Sequence, residues 1–175
     1  HYHSRVRVLN DISQLKKDAT PIDASNPHEK KQKAGKFTSI VKFGYYFLDF
    51  LIGNAKITVA KIRSTLVLVE RYYYDYSIDN VRYNLNLSDK FLSFFEYFIL
   101  KPDIIFIFTG DSQKLLDRKH EITIDEINEQ KKKLSEKFIN NPKAMFIDTT
   151  EETVDECVAK MIKECNAIMR KRRKW

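Results

Sequence analysis

The chain has 175 residues, 43% of them hydrophobic, and a formal net charge of +7. That apolar share can build the core of one domain of ordinary size, which speaks against a disordered or fibrous chain. The apolar runs are short and interrupted, so none supplies the roughly 20 residues of a membrane helix, and no signal peptide is evident.

At the start, HYHSRVRVL alternates weakly at Val6 and Val8, the pattern of a short strand. Residues 16–36 are lysine-rich, carry Pro21 and Pro27 and hold almost no aliphatic side chain, which predicts a solvated, flexible loop with a basic rim. Thr38-Ser39 can cap a helix with apolar positions Ile40, Phe43, Phe47, Phe50 and Leu51. Gly53 should weaken or end it, and Ile57 to Ile62 resumes helical character.

Four branched aliphatics, Leu66 to Val69, then read as a parallel-sheet strand covered on both faces. They stop at Glu70-Arg71, and Tyr72, Tyr73, Tyr74, Asp75 and Tyr76 follow. Ser88 precedes an apolar helix through Phe91, Leu92, Phe95 and Ile99, which Pro102 closes. DIIFIFT at 103–109 is a second buried strand, and Ser112 can cap a short helix to Arg118-Lys119. Thr123 and Glu126 form a capping box for a longer helix. AMFID at 144–148 is a third strand, and Thr149 or Thr150 caps a last helix whose stripe includes Val154, Val158, Met161 and Cys165. Strands alternating with helices predict a three-layer α/β sandwich with a parallel sheet.

Cys157 and Cys165 are eight apart on one helix, too far along its axis to bridge, so they read as free thiols in a reducing cytoplasm. No Cys or His spacing resembles a zinc site, and no metal ligand set is assigned. Positive charge favours an anionic partner, but Arg170 to Lys174 alone supply five charges in a short tail. Nucleic-acid binding through that tail is the weakest reading.

In open α/β sheets, ligands bind at the carboxyl ends of the strands, which singles out Glu70 and Arg71. The pair reads either as a salt bridge at a strand end or as a phosphate-binding fork with a carboxylate that accepts a hydroxyl proton or holds a metal ion's water. The tyrosines read as packing for at least two of the four at 72, 73, 74 and 76, and as stacking or phosphate-donating groups for the rest. Arg118-Lys119 with the following charged stretch reads as a solvated surface helix, or as a mobile basic segment if a polyphosphate has to be enclosed.

VERYYYDY closely resembles the Asp-Arg-Tyr motif of the thymidylate kinase family, in particular the aromatic-rich form of proteins associated with bacterial surface polysaccharide genes. The likeness continues through KPDIIFIFTGD, DRKHEITIDEINEQ and FIDTTEETVDECVAKMI, from Phe37 to about Met169. It implies a P-loop NTPase, nucleoside monophosphate kinase-like fold and ATP-dependent phosphorylation of a nucleotide or another phosphorylated small molecule. On that resemblance Arg71 binds the acceptor phosphate, and Glu70 stands in place of the family's aspartate, one methylene longer. Tyr72, Tyr73 and Asp75 line the acceptor site, Tyr46 stacks on the acceptor base, and Arg118 with Lys119 forms the lid that reaches the transferred phosphate. The family's base-reading arginine has no counterpart, since Asp49 and Phe50 occupy that neighbourhood. A complete family member uses ATP and Mg2+.

The largest departure is an absence. With only Gly35, Gly44, Gly53 and Gly110, no G-x-x-x-x-G-K-[ST] can be written, so the chain alone supports no cofactor. The chain begins at His1 and looks like such a kinase lacking its first, central strand and phosphate loop, with homodimerisation one expected consequence of the exposed gap. The alternative is a non-catalytic homologue that acts as a binding or partner module.

Overall fold

The computed structural model describes residues 2–3, 35–118 and 122–172. The strand expected at Val6 and Val8, the loop at 16–34, Lys119 and the tail at 173–175 lie outside these residues. The chain divides into two compact units, 1–100 and 101–175. It is a mixed helix and strand protein with parallel pairing, compatible with the α/β class. The described strands form two separate two-stranded ladders, so no continuous sheet of a three-layer sandwich is seen among them. No described helix is long and apolar enough to cross a membrane.

The first unit is built on α1 (Lys36–Ile62). Gly53 does not interrupt it: the helix runs on to Ile62, with Gly53 buried. Nor do Thr38 and Ser39 cap it: the N-cap is Gly35, and Ser39 lies inside the helix, fully buried, where its Oγ accepts from the Asn86 backbone N–H at 3.0 Å. A polar residue at a helix start can serve either role, and the tertiary partner decided this one. One stripe of α1 buries Phe43, Tyr46 and Phe50 against Tyr73, Tyr76, Leu85, Leu92 and Ile99. The rings meet mostly edge to face, as between Phe43 and Phe95 (centroids 5.1 Å apart), an arrangement favoured by the aromatic quadrupole.

β1 (Tyr2–His3) pairs in parallel with β2 (Val67–Leu68). The strand expected at 66–69 is therefore shorter and less covered than its composition predicts. Leu66 and Leu68 stay exposed, and Val69 packs on the aromatic core. Short α2 (Asp75–Ile78) and α3 (Asn80–Tyr83) follow, then α4 (Asp89–Phe95) and a 3₁₀ turn (Glu96–Phe98). Ser88 caps α4 by accepting from the Phe91 N–H at 3.3 Å, as its sequence position predicts.

In the second unit, β3 (Ile105–Thr109) pairs in parallel with β4 (Ala144–Asp148), from Ile105 opposite Ala144 to Thr109 opposite Asp148. Parallel neighbours need a crossover, here α5 (Ser112–Arg118) and α6 (Ile124–Phe138). The Thr123–Glu126 capping box forms as expected. α6 buries Ile127 and Phe138, the ladder buries Ile107 and Ile147, and α7 (Val154–Arg172) buries Cys157. β3 is less enclosed than DIIFIFT suggests, since Phe108 is exposed. Both cysteines are free thiols, and burial pushes the Cys165 thiol up from its ordinary value.

Candidate functional site

The turn after β2 is held from both sides by the aromatic core. Val69 packs on that core before the turn, and Tyr73 and Tyr76 are sunk into it after. From Tyr72 onward the backbone closes helical turns, with Asp75 N–H donating to the Tyr72 carbonyl at 3.0 Å and Asp79 N–H to the Asp75 carbonyl at 2.8 Å. Between the extended and the helical segments, Arg71 makes the bend with φ 52°, in the left-handed region. A non-glycine residue there costs about 1–2 kcal/mol, and such strain persists where surrounding structure over-determines it.

The bend sets the Arg71 guanidinium 3.5 Å from the Asp75 carboxylate, with the arginine side chain about half exposed (48%) and the acid mostly covered (27%). Burial is the main influence on Asp75. It pushes the carboxyl from 3.8 up to about 6, against the opposing pull of Arg71, with Asp79 adding to the rise and Arg82 reducing it. Asp79 also accepts from the Arg82 backbone N–H at 3.3 Å. The turn thus gathers two acids and two arginines, of which Asp79 and Arg82 carry no distinguishing motif. Charge alternation after VERYYYDY was the one available signal. Glu70 is exposed beside them.

The tyrosines divide as their burial dictates. Tyr73 is 1% exposed and donates its hydroxyl to the Leu92 carbonyl at 2.8 Å, so ring and hydroxyl both serve the core. Tyr72 is half-buried and donates to the Leu100 carbonyl. Desolvation holds both phenols well above their usual range. Tyr46, named as a stacking platform, is instead a core residue: its ring lies nearly parallel to that of Tyr76, with centroids 5.7 Å apart, and little of it is exposed. The helical spacing that placed it near the turn also placed it on the inward stripe of α1. Asp49 is likewise buried on that helix.

Arg118 belongs to the second unit, at the end of α5, and its Nη1 donates to the Thr149 carbonyl at 2.7 Å. It borders an open depression of about 580 Å3 between the turn after β4 and the first turns of α7. That turn is built on Asp148, whose carboxylate accepts from the backbone N–H groups of Thr150 (2.8 Å) and Glu151 (3.1 Å) and from the Thr150 hydroxyl (2.7 Å). Gly110 makes room for it: a Cβ there would stand 2.4 Å from Thr150 Cγ2. α7 is capped by Thr153, in a capping box with Glu156, and not by Thr149 or Thr150. The pattern T-x-x-E at 153–156 is legible in the sequence, but the preceding threonines compete for the same role.

Mg2+ with ATP calls for converging oxygen ligands and a phosphate-wrapping loop among the described residues. No three His, Cys, Asp or Glu side chains converge among them, and the sequence contains no glycine-rich loop to wrap a triphosphate. Among the described residues the donor set does not fit either group. Comparison with family models, curated proteins and solved structures gives no match.

Proposed function

We propose that the turn Glu70–Asp75 binds the phosphate of a small phosphorylated molecule, as the acceptor side of a nucleotide kinase-like phosphotransferase. The observation that carries this reading is Arg71, bent into the left-handed region at the carboxyl end of a parallel strand with its guanidinium half exposed. Such backbone strain clusters at ligand clamps. A guanidinium offers a planar fork of donors suited to two phosphate oxygens, and Asp75 holds it in place from the covered side. The resemblance of VERYYYDY to the family's Asp-Arg-Tyr motif assigns Arg71 the same role.

A second reading has its own support. Residues 1–175 hold no loop that would bind ATP, and a module that binds its phosphorylated ligand without transferring a phosphoryl group would use the same turn. Calorimetric titration with nucleoside monophosphates and with inorganic phosphate tests the shared premise. Replacing Arg71 by Ala should weaken binding by about 10–100-fold, the worth of lost hydrogen bonds to a charged group. Arg71→Lys should recover only part, because it keeps charge but not the fork. Binding that Arg71→Ala leaves unchanged would remove the turn from the function. Incubation of the bound ligand with ATP and Mg2+ then separates the two readings by whether a phosphorylated product forms.

A further inference from the structure

Residues 70–83 carry three acids, Glu70, Asp75 and Asp79, against two cations, Arg71 and Arg82. A phosphate dianion bound at Arg71 therefore enters a turn that is already net negative. Geometry sharpens the difficulty. The Arg71 guanidinium lies 3.5 Å from Asp75 Oδ2, with the acid mostly covered (27% exposed) and the arginine about half exposed (48%). A phosphate on the open side of that guanidinium stands one guanidinium width from a carboxylate that water screens incompletely. Charges so placed act on each other far more strongly than in open solvent.

The surrounding elements bring little spare positive charge. Asp79, at the end of α2, is buried and accepts from the Arg82 N–H of α3 at 3.3 Å. On α1, Lys42 donates to the Tyr83 carbonyl at 3.4 Å and Asp49 is a buried acid. α4 offers Asp89 and Lys90, both exposed and of opposite sign. Glu96, on the 3₁₀ turn, adds its negative charge to the burial that raises the Tyr73 and Tyr74 hydroxyls.

We propose that the turn takes up one proton, on the Asp75 carboxylate, as it binds a phosphate. This rests on the reading of the turn as a phosphate site and adds a condition to it: the ligand is a dianion that enters together with a proton. A buffer acid gives up the proton, an O–H bond forms on Asp75, and the Arg71 fork passes from the acid to the phosphate. Of the three acids only Asp75 is placed for this. Glu70 is exposed and stays solvated, and Asp79 accepts a backbone N–H, which favours its ionised form. Burial already brings the Asp75 carboxyl from 3.8 up to about 6 against the pull of Arg71. Losing that pull and gaining an anionic neighbour both favour the protonated acid at neutral pH.

Sulfate is the cleaner probe, because its charge stays fixed between pH 6 and 8 whereas phosphate titrates near pH 6. Calorimetric titration of the full chain with sulfate at pH 7, in buffers of low and high ionisation enthalpy, should give heats that differ by the uptake of about half to one proton. Affinity should rise about tenfold from pH 8 to pH 6. Inorganic phosphate should show uptake at pH 8, where it is already a dianion. Asp75→Asn, the size of a protonated acid, should bind sulfate with equal heat in both buffers and equal affinity at pH 6 and 8. Infrared difference spectra of the wild-type chain on adding sulfate should gain the carbonyl band of a protonated carboxyl, a readout that needs no variant. Equal heats and flat affinity for both anions, with binding still lost in Arg71→Ala, overturn the proton uptake and leave the phosphate site standing. Uptake that persists in Asp75→Asn overturns the assignment to Asp75. If neither anion binds, or if Arg71→Ala leaves their binding unchanged, both readings fall.

Discussion

At the end of β4, Asp148 turns the chain with its own carboxylate, partly exposed and accepting three hydrogen bonds that hold its pKa below the usual carboxylate range. After β2, Asp75 opens the following helix with its carboxylate facing Arg71, and there burial raises the pKa to about 6. Both places read the same locally: a parallel strand, an acid, a turn, a helix. The difference teaches that a hydrogen-bonded acid near water is a latch, whereas an acid covered by the protein is held at an energetic cost that only its surroundings sustain. The first turn is satisfied by its own backbone, and the second depends on the core beneath it.

That contrast can be broken most forcefully from below. Tyr73→Ala removes a ring that is 1% exposed together with its bond to the Leu92 carbonyl, and should cost about 3–5 kcal/mol in denaturant unfolding of the first unit. If the loss is under about 1 kcal/mol, the turn does not depend on the core.

The latch after β4 is tested by Gly110→Ala. The added Cβ would meet the Thr150 side chain at 2.4 Å, so the Asp148–Thr150 arrangement has to shift, at about 1–3 kcal/mol. Thermal melts should show this loss in the second unit, and an unchanged melting temperature would mean that the turn yields freely.

The smallest effect is the most specific. Folding raises the Asp75 pKa from 3.8 to about 6, so the folded state binds the proton more tightly than the unfolded chain. Its stabilising contribution is complete below about pH 4 and is lost as pH rises through 6, on the order of 1–3 kcal/mol. For Asp148 the sign reverses: its pKa is depressed, so its contribution is present at neutral pH and fades on acidification. Melts from pH 4 to 8 should therefore show Asp75→Asn flattening the fall toward neutral pH, while Asp148→Asn flattens only the acid side. Identical profiles for the two variants would mean that burial does not distinguish the turns.

Local patterns account for the parts of the fold that the sequence made legible. Ser88 and the Thr123–Glu126 box start their helices because the cap and its partner lie within three residues of each other. The strands at 105–109 and 144–148 follow from short aliphatic runs between turn residues, and their parallel pairing from the helices that separate them. For the candidate site, the sequence determined which residues gather after Val69, since an acid, an arginine and a row of tyrosines at a strand end are set by order along the chain.

Tertiary structure alone decided which of them face outward. Ser39 could have capped α1 but instead bonds the Asn86 N–H, 47 residues away. Tyr46 and Tyr73 could have offered rings to a ligand but fill the core, and Leu66 and Leu68 could have been buried but remain exposed. Arg71 could have followed an ordinary strand path but bends at φ 52°. Burial, pKa and backbone strain each depend on what packs against a residue from elsewhere in the chain, and no window of neighbouring letters contains that information.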